Sequence, residues 1–196
     1  ATFSHISPTL LVAFSHPAMQ SERWLTDLLF QATYVINMPI LKKHGTAPAT
    51  LGYKNHFGSL STLGGAGNDN PHNFINPSSA LYTTWFNPVV DISANTNIRD
   101  KTILTIGDGL YGAPSAGAVP IRWSRFGNNA PNSLLFSRNP VAIDCVMTDM
   151  LRAEWGISEA AYDHLRLAEA RGMGTFERGD PFGSGYTKIN YSRFEV

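Results

Sequence analysis

Charge is what this chain has least of. Asp, Glu, Lys and Arg make up 15% of its 196 residues, against about 25% in ordinary soluble domains, and the formal net charge is zero. Such a surface lacks the basic footprint that nucleic acid or an anionic lipid surface requires. It also leaves little repulsion between copies, so self-association is expected. Cysteine is nearly missing as well. With Cys145 alone, the chain can form no internal disulfide and no cysteine cage for zinc or an iron–sulfur cluster. Its neighbours Ile143 and Val146 mark Cys145 as a buried structural thiol. No apolar run approaches membrane-spanning length. The chain opens on Ala1 with no visible signal peptide, so a processed or truncated start is expected.

What remains is an ordinary globular composition, 43% hydrophobic, long enough for one domain over residues 1–196. The β-branched and aromatic run Tyr34-Val35-Ile36 reads as a buried strand that halts at Asn37-Met38-Pro39. Leu10–Phe14 reads as another strand, followed by a helix capped by Ser21 and carrying Trp24, Leu25, Leu28 and Leu29 on one stripe. Residues 103–106 and 134–136 supply two more strands. The spacing predicts an α/β fold with a mainly parallel sheet flanked by helices and interrupted by long irregular loops. The clearest helix runs from Val141 to Trp155 behind an Asn139-Pro140 cap, with Cys145, Thr148 and Leu151 on a shared face. Pro88 opens a shorter helix after Asn87, and residues 78–85 suggest another. A last helix is expected from Ser158 to Ala170, with His164 at its surface or cap, and residues 186–191 suggest an edge strand. The long stretch Gly58–Pro77, with His72 inside it, reads as loop.

The chemistry concentrates after the Tyr34 strand. Asn37, Lys42, Lys43, His44, Lys54, Asn55 and His56 crowd into about twenty residues, and open α/β sheets place ligands beyond strand carboxyl ends. Lys and His hold anions and relay protons, though the same residues would equally serve to solvate a loop. Gly107-Asp108-Gly109-Leu110-Tyr111-Gly112 spells a dinucleotide fingerprint, but Ala113-Pro114 through Pro120 cannot open the helix that fingerprint needs. What survives is a turn exposing Asp108, a candidate base, metal ligand or lysine partner.

Four pieces in order, IN-x-P-x-LK-x-H at Ile36–His44, KN-x-x-G at Lys54–Gly58, IGDGL at Ile106–Leu110 and S-x-x-PVA-x-D at Ser137–Asp144, resemble the family known as domain of unknown function 362. AEARGMG at Ala168–Gly174 is similar to the segment that closes its members. The resemblance implies an α/β domain with Lys42, His44, Lys54, Asn55, Asp108 and Asp144 at motif positions. It also implies a further region preceding the matched part, and an exported location as in some members. Asn139 stands where members usually carry Asp, which leaves it a capping role. No reaction or cofactor comes with the family.

Two functions follow as expectations. One is a site for a small anionic substrate: Lys42 and Lys54 hold the anion, His44 shuttles a proton, Asn37 and Asn55 line the site, and Asp108 or Asp144 orients the cations or assists with a metal. Lys54, its stem flanked by Tyr53 and Phe57, would be the central residue and Lys43 a solvated one. A metal site of His44, His56, His72 and Asp108 is a minor variant without supporting spacing. The other function is a non-catalytic, exported assembly protein that packs on copies of itself or on a partner, which includes a missing N-terminal chain.

Overall fold

The computed structural model describes residues 1–49, 51–62, 69–115 and 117–195. Its strands are β1 (Val35–Asn37), β2 (Ile40–Lys42), β3 (Thr102–Ala113) and β4 (Ser133–Ser137). The helices are α1 (Asp27–Gln31), α2 (Gly52–Asn55), α3 (Pro71–Ile75), α4 (Pro88–Ala94), α5 (Thr96–Arg99), α6 (Pro140–Trp155) and α7 (Asp163–Ala170). The fold is α/β, and its sheet has a mostly parallel core.

The long strand β3 is the axis of that sheet. Its first half pairs in parallel with β1 (Ile36 opposite Leu104) and its second half in parallel with β2 (Ile40 opposite Asp108). β1 and β2 therefore lie end to end along one side of β3, as a single strand broken at Met38-Pro39. Pro39 donates nothing to the ladder, but its carbonyl still accepts the Asp108 amide at 2.8 Å. An outer row with no further strand beside it tolerates a proline of this kind. β4 runs antiparallel along the other side, Phe136 opposite Ile106 and Leu134 opposite Asp108.

Leu10–Phe14 is not in the sheet. Ser7 caps a 3₁₀ turn at Pro8–Leu10, and only an isolated bridge joins Leu11 to Trp24. The run is apolar because Leu10 and Val12 are buried against the helices, not because it joins a ladder. Ser21 likewise caps no helix. Thr26 does, by accepting from the Leu28 amide, and α1 is one short turn. Residues 78–85 and 186–191 form neither helix nor strand. Asn87-Pro88 opens α4 and Asn139-Pro140 opens α6 as their capping residues require, with Asn139 Oδ1 accepting from the Ala142 amide at 3.0 Å. A 3₁₀ turn at Glu159–Tyr162 precedes the last helix.

Helix α6 carries the core. Every residue from Val141 to Leu151 is buried, Cys145 among them, because one side of the helix meets the sheet and the other meets α7 and the loops. Gly107 permits the close approach: a Cβ there would come within 2.7 Å of Met147 Sδ. Leu41 and Leu135 face the same layer. The alternation of side chains then commits Ile40, Asp108, Leu134 and Phe136 to the opposite face, which no helix among the described residues covers. Among the described residues, no helix is long and apolar enough to cross a membrane.

Candidate functional site

The site begins with a buried carboxylate. Asp144, at the start of α6, accepts the Gly52 amide at 2.9 Å and the Tyr53 amide at 3.0 Å. These are the first amides of α2, which no helical carbonyl can satisfy. Burial raises the Asp144 carboxyl to about 7, against the two amide bonds that hold it down. Asn37 locks the same helix from β1. Its Nδ2 donates to the Gly52 carbonyl at 3.0 Å, and its Oδ1 accepts from Asn55 Nδ2 at 2.8 Å. Gly52 must be glycine in this clamp, since a Cβ would lie 2.9 Å from Asp144 Oδ1 and 3.3 Å from Asn37 Nδ2. Asn37, Asn55 and Asp144 thus position α2 and the lysine it carries.

That lysine is Lys54. Its ammonium lies 5.0 Å from the centre of the Phe57 ring, and no carboxylate among the described residues pairs with it. Burial, and then the nearby Lys42, lower its pKa. Lys54 also lines a small cavity with Ala47, Pro48, Tyr82, Asn87 and His164; the enclosed space, about 20 Å³, has room for one water-sized group.

His44 closes the cluster. Its Nδ1 accepts the amides of Thr46 and Ala47, both at 3.0 Å, so the neutral ring carries its proton on Nε2. Desolvation first, then Lys54, His72 and Lys42, push its pKa down to about 4. His72 is also lowered by burial and by Lys54. It sits on α3, capped by Asn70, rather than in an irregular loop. Lys42, His44, Lys54 and His72 therefore share one electrostatic neighbourhood, built from the end of β2, the loop after it, α2 and α3.

Other residues singled out from the sequence go elsewhere. Asp108 lies mid-strand on the uncovered face of the sheet, across from α6, where Oδ1 accepts the Leu110 amide at 3.0 Å. It does not meet the Lys/His group. Lys43 is not a solvated bystander: its Nζ donates to the carbonyls of Trp155 at 3.4 Å and Gly156 at 3.0 Å, closing the C-terminal end of α6. His56 is buried, held near 4 by desolvation, with Nδ1 3.4 Å from Ser59 Oγ. His44, His56, His72 and Asp108 form no joint metal site; among the described residues, no group of three or more His, Cys, Asp or Glu side chains is placed to hold an ion.

The residues that sequence reasoning missed are His164 and Tyr82. His164 was expected at the surface or a cap, yet it faces the Lys54 cavity, edge-on to Tyr53 at 5.8 Å. Burial lowers it to about 4. Its position beside Leu165 and one turn before Ala168, the last buried residue of the helix, was the available signal.

Fold and site together describe an α/β protein with a helix-borne lysine clamped onto a parallel ladder by buried amides and a carboxylate. The chain belongs to the family described as domain of unknown function (DUF362), whose profile matches residues 8–149, more than half of its length. No curated protein matches it. No solved structure matches it either.

Proposed function

We propose that Lys42, His44, Lys54 and His72 form a binding site for a small oxyanion, a carboxylate or a phosphate. The observation that carries this reading is Lys54. A partly desolvated ammonium is costly without a counter-charge, and both carboxylates that could have served it are committed: Asp144 to the α2 amides, Asp108 to the other face of the sheet. A bound anion would supply the missing charge. Neutral His44, with Nδ1 engaged, offers Nε2–H to the same anion and is the group from which a proton would move.

The test is titration calorimetry against phosphate, sulfate, acetate and a dicarboxylate. Lys54→Met keeps the stem and deletes the charge, so it should weaken binding at least tenfold while the circular dichroism spectrum stays that of the parent. Lys188→Met, on the exposed C-terminal segment, should bind as the parent does. Equal binding by both variants would remove Lys54 from the site.

The affinity should also rise as pH falls from about 7 towards 5. His44 has its folded pKa near 4, and an adjacent anion raises it, so binding takes up a proton over that range. His44→Gln should flatten this dependence; an unchanged profile in that variant would assign the proton elsewhere.

A second reading, a packing or assembly protein, is favoured by a separate observation, the apolar face of the sheet that no helix among the described residues covers.

A further inference from the structure

The sheet has two unlike faces. One is buried under α6. On the other, Ile36, Met38, Ile40, Leu110, Leu134 and Phe136 are 45–62% exposed. Register makes them one surface rather than scattered residues, because Ile36 stands opposite Leu104, Ile40 and Leu134 flank Asp108, and Phe136 stands opposite Ile106. The six expose on the order of 700 Å² in total, above the ~300–600 Å² typical of a monomer's largest apolar patch and close to the ~800 Å² each partner gives to a standard interface.

Two charged residues bear on this face. Asp108 lies beside Leu134. Arg138 is exposed and continues the outward alternation of Leu134 and Phe136 along β4. Neither makes an ion pair among the described residues. Leu134 and Arg138 are four positions apart, so the two charges stand roughly 13 Å apart along the strand direction. Phe136 and its partner Ile106 lie midway.

We infer that this face binds a second copy of the chain in a closed two-fold dimer, with the axis passing over the Ile106–Phe136 pair. The axis lies between the stacked sheets and perpendicular to the strands, so it reverses position along them. Phe136 then meets Phe136 of the other copy. Asp108 of each copy falls opposite the Leu104 end of the other, within a guanidinium's reach of Arg138 one strand over. The pairing occurs twice by symmetry, and each copy supplies both the acid and the base. A partner without a cation at that place would bury Asp108 uncompensated, which is the argument for a second copy over a purely apolar occupant. Net neutrality removes the long-range repulsion that would oppose it.

Sedimentation equilibrium of the 196-residue chain at micromolar concentration should give a dimer that does not grow into larger species. Phe136→Asp should shift it to monomer with an unchanged circular dichroism spectrum; Phe136→Ser, a milder change at an exposed position, should weaken the dimer at least tenfold if the first variant fails to fold. Asp108→Arg and Arg138→Asp should each weaken the dimer at least tenfold, and the double exchange should restore it. A parent chain that stays monomeric to hundreds of micromolar overturns the proposal. So does open-ended assembly, or a double exchange no better than either single variant. None of these outcomes depends on anion binding, because the Lys54 site lies on the other side of the sheet.

Discussion

Asp144→Ala should destabilise the protein by about 2–4 kcal/mol, the cost of leaving two interior amides without an acceptor and opening a small void. The loss is expected to be local in origin and global in effect. Gly52 and Tyr53 begin α2, and their amides have Asp144 as their acceptor. Without it the helix is held by Asn37 alone on this side. Asp144→Asn keeps one acceptor oxygen and should cost about half as much. Urea unfolding checks the magnitude, and hydrogen exchange at the amides of residues 52 and 53 checks the cause. Alanine within 0.5 kcal/mol of the parent would mean that water replaces the carboxylate, and that the clamp does not hold α2. Because α2 carries Lys54, anion affinity in the alanine variant should fall even where the protein remains folded.

Acidification should unfold the protein well before its surface carboxylates protonate. Burial holds His44, His56 and His164 near 4, below their usual 6.5. For histidines shifted down, the stabilisation is complete above about 6.5 and is lost as pH falls towards 4, since the unfolded chain takes up protons that the folded one refuses. Asp144 acts in the opposite sense. Its carboxyl is raised to about 7, so over the same range the folded chain holds a proton that the unfolded chain has released, and this offsets one histidine. His56 is buried, and the partly exposed His164 and His44 each add less. The net slope should be about 1–3 kcal/mol per pH unit between pH 6 and 4.5. Urea midpoints at pH 7, 6 and 5 measure it. His56→Phe should flatten the slope and Asp144→Asn should steepen it; a midpoint that holds constant from pH 7 to 5 would mean these imidazoles charge freely in the folded state.

Local sequence determined a good deal of this molecule. Asn-Pro pairs placed the starts of α4 and α6, since a side-chain acceptor followed by a residue with no amide satisfies a helix end without tertiary help. The strands at residues 35–37 and 133–137 and the first half of β3 were legible from β-branched and aromatic runs, and the partial burial of Lys54 from the aromatic residues that flank it. The second half of β3 was not: Gly107–Gly112 reads as a turn from its glycines, but β2 and β4 pair with it on both sides and keep it extended. The family motifs, spaced over more than a hundred residues, pointed to an α/β domain. Tertiary structure decided the rest. Leu10–Phe14 has a strand's composition, but apolarity reports burial and not ladder pairing, so its place outside the sheet was not legible. Asp108 follows a strong strand, yet only the pairing register and the approach of Met147 to Gly107 show which face it takes. Asp144 looked like a partner for lysine because charge is visible in a sequence. The unpaired amides of Gly52 and Tyr53, ninety positions away, are not. A buried carboxylate goes to whichever donors the fold brings within 3 Å, and that choice leaves Lys54 without an acidic partner of its own.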